Sequence, residues 1–308
     1  MSALAFALVA LLLVGPVPAL LARASWPMRA PRAAVVLWQS IAVAAVLSAF
    51  SAGLAIASRL FVPGPDGRPT ATITSEIAVL GWPLWLTYIL VFALTVLIGA
   101  RLAVAVVQVA IATRRRRAHH RMVVDLLGDC RHGMHGLRVL HVAQPLAYCL
   151  PGVRSRVVLS EGTLSALTDA ELVAILSHER AHLRARHDLV LEAFVAVHTA
   201  FPRFVRSGSA LNAVRLLVEL LADDAAVRTA GPAPLARALV ACASARTPTG
   251  ALAAGGPTTV VRVRRLAGRP NSLLLSCVAY AAAAAVLVLP TIAVAVPWLT
   301  ELRRLFLG

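Results

Sequence analysis

Lysine is absent from this chain of 308 residues, and all 30 of its basic residues are arginine. Charge is scarce in general, since charged residues make up 14% of the chain and hydrophobic residues make up 59%. The mean hydropathy is +0.79. This composition is too apolar for an ordinary soluble domain and indicates several membrane spans.

Cysteine is also rare. The chain has four cysteines, at positions 130, 149, 242 and 277, and none of them forms a CxxC pair. Cys277 lies within an apolar run. The pattern therefore argues against a disulfide framework and against a zinc cluster built on thiolates.

Four apolar stretches are long enough to cross a bilayer, and they occupy residues 2–22, 33–60, 78–100 and 273–299. The first arginine, Arg23, follows the first stretch, whereas a cleaved signal peptide places its positive charge ahead of the apolar run. We therefore expect four retained transmembrane helices.

The segment between the third and fourth spans is mixed in polarity and large enough for one compact domain. We expect residues 1–113 to form a membrane domain with three spans and residues 114–270 to form a cytoplasmic domain. Residues 271–308 would supply the fourth span and a short extracytoplasmic tail.

The arginines predict the orientation of the spans. "RRRR" at 114–117 follows the third span and "RVRR" at 262–265 precedes the fourth. The positive-inside rule then places both termini outside a multi-pass cell-membrane protein and places residues 101–270 in the cytoplasm. Because topology and attraction to anionic lipid in the bilayer explain the basic excess, and no recognition motif accompanies it, we expect no direct nucleic acid binding.

A metal-binding pattern interrupts this apolar sequence. The stretch "ELVAILSHERAHLRARHD" places His178 and His182 four residues apart, with Glu179 next to His178. Thr168 and Glu171 form a capping-box pattern that predicts a helix start just ahead of them. On such a helix both imidazoles lie on one face and can hold one Zn2+ ion, while Glu179 is placed to act on water instead of binding the metal.

A catalytic zinc ion needs a third protein ligand and one open position. A histidine six residues after His182 is excluded, because position 188 is an aspartate. His187 lies nine residues after His178, about half a turn around a continuous helix, so it is predicted to face away.

Glu219, in "VRLLVELLADDAAV", is the preferred third ligand. A carboxylate among leucines is costly unless something compensates its charge. Asp223 follows four residues later on the same face, where it would accept a hydrogen bond from a zinc-bound histidine. The alternative for Glu219 is an ion pair with Arg215.

These segments resemble a known family. "QPLAYCLPG", "RVVLSEGTLSALTDAELVAILSHERAHLRARHD", "FPRF" and "ELLADDAAV" occur in the order found in BlaR/MecR-type membrane zinc metallopeptidases. More distantly they resemble the HtpX and CAAX prenyl protease group of gluzincins. The resemblance implies a mainly α membrane protein with four transmembrane helices. A cytoplasmic α+β zincin-like (gluzincin) metallopeptidase domain would lie between spans three and four.

Carried over to this chain, the resemblance implies roles for individual residues. His178, His182 and Glu219 would be the zinc ligands, and Glu179 would be the catalytic general base. Asp223 would orient a ligand, and Asp188 would support the site structurally. The stretch 146–150 or 156–160 would be the edge strand along which a substrate peptide lies.

The resemblance also implies a function, a membrane-embedded zinc endopeptidase that cleaves a cytosolic protein. The implied substrate is a BlaI-type transcriptional repressor in a signalling pathway, and self-cleavage and homo-oligomerisation stay open. Receptor members of the family carry an extracellular penicillin-binding sensor after the fourth span. Because this chain stops at Gly308, we expect it to resemble the shorter members without a sensor.

Three other functions remain as alternatives. The first two are an HtpX-like quality-control protease and a non-catalytic membrane transducer with a degenerate protease fold. An intramembrane protease, suggested by "PDG" at 65–67, is disfavoured because charged residues flank His178 on its helix.

The remaining features have ordinary interpretations. The histidines at 119, 120, 132, 135 and 141 are interpreted as solvated or membrane-proximal basic positions and not as a second metal site, and Cys149 as a small buried hydrophobic residue. Tyr148 and several arginines are available as oxyanion donors without a diagnostic spacing. "TPTGALAAGGPTT" at 247–259 is typical of a flexible linker.

Overall fold

Helices form most of this protein, as the long apolar runs predict. The computed structural model describes residues 2–57, 62–63, 69–70, 73–130, 136–152, 155–201, 207–243, 252–253, 258–268 and 270–307. The predicted features at 65–67, at 132, at 135 and over most of 247–259 lie outside these residues, as does most of the "FPRF" motif.

The helices are, in chain order, α1 (Ser2–Val14), α2 (Pro16–Arg23), α3 (Pro31–Ala57), α4 (Ile73–Leu80), α5 (Trp82–Leu127), α6 (Glu161–Ala166), α7 (Asp169–Ala185), α8 (His187–Ala200), α9 (Ser207–Ala230), α10 (Pro232–Ala241), α11 (Thr259–Leu266) and α12 (Leu273–Leu307). A short 3₁₀ helix, Trp26–Arg29, precedes α3. The strands are β1 (Val62–Pro63), β2 (Pro69–Thr70), β3 (Asp129–Cys130), β4 (Leu137–Leu140), β5 (Ala147–Leu150), β6 (Arg156–Ser160) and β7 (Leu252–Ala253).

Four helical segments among the described residues are long and apolar enough to cross a membrane, and they overlap the four predicted stretches: Leu4–Arg23, Pro31–Ile56, Trp82–Leu127 and Leu273–Ala293. The first is divided at Gly15, where Pro16 begins α2. Gly81 separates α4 from α5. Its φ of 76° lies in the left-handed region, which glycine adopts more readily than other residues. From there α5 continues without a break to Leu127, past the predicted domain boundary at residue 113.

A small sheet lies next to the helices. Its strand order is β3-β4-β6-β5-β7, with β4 and β6 parallel and the other neighbours antiparallel. β5 and β6 correspond to the two predicted stretches 146–150 and 156–160. Because β6 lies between β4 and β5, the stretch 156–160 is not an edge strand, and that alternative is wrong. The stretch 146–150 is not a free edge either, because β7 pairs with the other side of β5.

Two hydrophobic clusters meet at α9. In one cluster, Ala226 of α9 packs with the buried face of α7, including Ile175, and with Leu159 of β6. In the other, Leu217 of α9 packs with Trp38 of α3. Burial of one leucine or isoleucine side chain stabilises the folded protein by about 1.5–3 kcal/mol. Helix α9 therefore links the sheet and α7 to a candidate membrane span.

Gly162 is tightly enclosed at the start of α6, next to the Ser160 side chain that caps this helix. A Cβ atom at position 162 would lie 1.9 Å from the carbonyl oxygen of Ala143. We expect Gly162→Ala to lower the free energy of unfolding by about 1–3 kcal/mol or more, because the backbone has to move. Gly208→Ala is the control, since its nearest neighbour lies at 3.6 Å. Equal unfolding midpoints for the two variants would contradict this packing.

Candidate active site

The helix α7 carries the first part of the site. Its capping box is present as predicted: the Thr168 and Glu171 side chains each bond to the other residue's backbone N–H, with Thr168 N donating to Glu171 Oε2 over 3.0 Å. The start of the helix is thereby held in place, and the following turns bury His178, Glu179 and His182, each of which is at most 1% exposed.

Helix α9 brings a carboxylate to these imidazoles. His178 Nε2 lies 3.2 Å from His182 Nε2 and 3.4 Å from Glu219 Oε2. His182 Nε2 lies 3.5 Å from Glu219 Oε1. Ligand atoms about 2.0–2.2 Å from a tetrahedral zinc ion lie about 3.3–3.6 Å from one another. The two imidazole distances run to different oxygens of Glu219, and one donor atom from each of the three predicted ligands lies within 4.8 Å of the others, which brings them together around a place for one metal ion.

The burial of Glu179 also suits a metal site. Neither carboxylate oxygen makes a hydrogen bond of acceptable geometry with the described residues. The Cys149 thiol interacts with this carboxylate, but a thiol is a weak donor. A buried carboxylate without strong donors is costly unless a cation or water compensates it. Two imidazoles, one carboxylate ligand and this neighbour fit Zn2+ in chemistry as well as in spacing.

Asp223 lies behind His178, as the spacing on α9 predicts. Its Oδ1 is 3.0 Å from His178 Nδ1, on the side of the ring opposite Nε2. A carboxylate in this place holds the ring and its tautomer, leaving Nε2 available to a metal.

Arg262 completes the cluster, and the sequence interpretation missed it. Its side chain is 1% exposed and donates from Nε and Nη2 to the two oxygens of Asp223, over 2.8 and 2.6 Å. Its Nη1 lies 2.9 Å from Glu219 Oε2. "RVRR" was interpreted only as a topology signal, but Thr259, Arg262 and Leu266 lie on one helix face, and this spacing could have indicated a buried arginine.

The prediction that His187 faces away is wrong. α7 ends at Ala185, and Arg186 adopts a left-handed conformation with φ of 53°. The chain changes direction there, and α8 begins at His187. His187 Nδ1 consequently lies 3.0 Å from His182 Nδ1. It can orient the second imidazole as Asp223 orients the first.

Asp188 lies on the neighbouring position of α8. Its Oδ2 accepts a hydrogen bond from Arg117 Nη1 over 3.0 Å, and the same nitrogen lies 2.6 Å from Glu192 Oε1. Asp188 therefore connects α8 to α5, which is a structural contact at the end of the "RRRR" segment.

Burial and charge shift the pKa values in the cluster. Burial lowers the pKa of His182 to about 3 and that of His187 to about 4. Burial alone would also lower the pKa of His178, but its contacts with Asp223 and Glu219 raise it to about 9. Burial raises the pKa of Glu179 to about 7, which is a suitable range for a general base at neutral pH.

Successive side chains of β5 point to opposite faces of the sheet, so Tyr148 and Cys149 have different surroundings. Cys149 lies on the side of Glu179, as a small buried residue. Tyr148 points to the other side, where its hydroxyl lies 3.0 Å from His120 Nε2 and its ring packs with Val124. Tyr148 is therefore not placed as an oxyanion donor, and His120 is a half-buried residue of α5 with a specific partner.

Zinc binding tests the ligand set. We expect Glu219→Ala to weaken zinc binding at least tenfold, because it removes one of three ligands, whereas Glu161→Ala on the protein surface should bind zinc as the wild type does. Competition with a chelator measures the affinity. Stoichiometric zinc of unchanged affinity in Glu219→Ala would show that the third ligand is another residue.

The buried arginine can be compared with an exposed one. We expect Arg262→Gln to lower the free energy of unfolding by about 3–5 kcal/mol, because it leaves buried carboxylates without their cation. Arg237, which pairs with Glu171, is 62% exposed, so Arg237→Gln should cost at most about 1 kcal/mol. Denaturant unfolding measures the free energy of unfolding of both variants. Equal losses of stability in Arg262→Gln and Arg237→Gln would show that burial of the arginine makes no difference.

One of the three comparisons with known proteins found a match. Residues 65–202, less than half of the chain, match the family model described as BlaR1 peptidase M56. The match includes α7 and its HExxH motif and ends before α9 and α11. Among curated proteins and among solved structures, none matches the chain. The match supports the BlaR/MecR-type family that the sequence motifs indicate, since residues 65–202 of this chain are similar to the BlaR1 peptidase M56 model.

Proposed function

We propose that this protein is a membrane-embedded zinc endopeptidase of the HExxH gluzincin type. The observation that carries the proposal is the convergence of His178 Nε2, His182 Nε2 and the Glu219 carboxylate within 3.5 Å of one another. The family match supports peptidase activity, and the apolar helices support a membrane location.

Each residue has a chemical task in this proposal. A zinc ion bound by the three ligands would supply Lewis-acid polarisation of a peptide carbonyl and of a water molecule. Glu179 accepts the proton of the attacking water and returns it to the leaving amine. Asp223 and His187 hold the two imidazoles in their orientations, and Arg262 holds Asp223 and Glu219.

A substrate peptide would bind along β5 by backbone pairing, in the place that β7 occupies in this structure. β5 already accepts an antiparallel neighbour, since Tyr148 pairs with Ala253 and Cys149 pairs with Leu252 of β7. Because Cys149 interacts with Glu179, a peptide on this edge passes close to the general base. β7 comes from the chain itself, which also supports self-cleavage as a second reaction.

We further propose that the peptidase region lies in the cytoplasm and that its substrate is a cytosolic protein. The arginines of α5 and α11 support this orientation by the positive-inside rule. The family resemblance suggests a transcriptional repressor of the BlaI type as the substrate.

The test compares cells that produce the wild type, Glu179→Gln or Glu161→Gln. Glu179→Gln should retain zinc but lose cleavage by a factor of about 10²–10⁴, because the amide cannot accept the proton. The surface variant should cleave like the wild type. Quantitative proteomics identifies fragments that accumulate only with a functional Glu179.

The identity of the fragments distinguishes the candidate functions. Fragments of one cytosolic repressor support signalling, whereas fragments of many membrane proteins support quality control. Fragments of the protein itself, cut near β7, support self-cleavage. Unchanged fragments in Glu179→Gln would show that Glu179 is not the general base.

A further inference from the structure

An apolar cavity of about 790 Å³ lies away from the peptidase site. Its wall is formed by α1, α2, α3 and α5, together with parts of α8 and α9. Pockets that bind small ligands have volumes of about 300–1,000 Å³. The cavity is therefore large enough for a ligand.

The cavity extends along one face of α3, from Trp38 to Phe50. Alanines at positions 42, 45 and 49 on this face leave the space open. Twelve residues of helix rise by about 18 Å, slightly more than half of the ~30 Å hydrocarbon thickness of a bilayer. The length suits an acyl chain from one leaflet.

The surroundings indicate where such a ligand comes from. The segments Leu4–Arg23, Pro31–Ile56 and Trp82–Leu127, which supply most of the wall, each meet the length and hydropathy of a membrane span. Protein interiors are normally close-packed, and an apolar cavity does not fill with water. Lipid from the surrounding bilayer is the available apolar material.

Two polar groups in the wall specify the other end of the ligand. Trp38 is 1% exposed, and its Nε1 has no hydrogen-bond partner among the described residues. Arg101 donates from Nε to the carbonyl oxygen of Ala200 over 2.6 Å and is the one charged residue in the described wall. Both groups are donors. They call for a ligand with acceptor oxygens and negative charge.

We propose that this cavity binds one anionic phospholipid of the bilayer. Its acyl chain lies along α3 between α1 and α5, and its ester or phosphate oxygens accept hydrogen bonds from Trp38 and Arg101. The proposal is independent of the metal site.

The test uses the full chain, purified in detergent and stripped of lipid. Phosphatidylglycerol or phosphatidylcholine with the same acyl chains is added, and native mass spectrometry counts the retained lipid. We expect one phosphatidylglycerol per protein, held about tenfold more tightly than phosphatidylcholine, as a hydrogen bond to a charged group implies. The thermal unfolding midpoint should rise with phosphatidylglycerol.

Three variants probe the site. Ala45→Phe fills the cavity and should abolish retention, while Trp38→Phe removes the indole N–H with little change of shape and should weaken it about tenfold. Val43→Phe is the control, because Val43 is 49% exposed and lies outside the wall. Trp38→Phe keeps the test decisive if Ala45→Phe does not fold.

Several results would overturn the proposal. Equal retention of the two phospholipids would show that no anionic headgroup is recognised. Unchanged retention in Ala45→Phe or Trp38→Phe would place the lipid elsewhere. Removing zinc with a chelator should leave lipid binding unchanged, so that failure of the metal assignment and failure of the lipid site are separately visible.

Discussion

The site depends on compensating the charge of three carboxylates in one buried cluster. Glu179, Glu219 and Asp223 approach one another where α7, α9 and α11 meet, and water reaches little of them. Arg262 supplies one positive charge, and a divalent metal ion between the imidazoles would supply two more. Three negative and three positive charges then balance. Since an uncompensated buried charge costs several kcal/mol, the metal ligands and the buried arginine stabilise each other.

The same helices connect this cluster to the membrane. α9 carries Glu219 and packs against α3. Arg265 of α11 binds both Asp224 of α9 and the carbonyl oxygen of Met28, close to the start of α3. The candidate metal site is therefore assembled on helices that pack against candidate spans, and its geometry depends on how those spans pack.

Local patterns predicted a large part of this arrangement. The capping box at Thr168 and the spacing of His178 and His182 depend on interactions within one or two helical turns, so they are visible in the sequence. Glu219 and Asp223 could be assigned to the same site because residues four positions apart lie on one face of a helix. The prediction for His187 failed because one residue, Arg186, adopts a left-handed conformation that ends α7, so His187 lies on a separate helix.

By itself, the sequence determined the four apolar spans, the HExxH helix and the carboxylates of α9, because helix periodicity and hydropathy are properties of neighbouring residues. Only the tertiary structure decided that Arg262 enters the cluster, that β6 is internal and that β7 occupies the edge of β5. These contacts join residues far apart in the chain: 39 positions separate Arg262 from Asp223. The physical reason is that a buried charge selects its partner through the packing of whole helices, which no local pattern encodes.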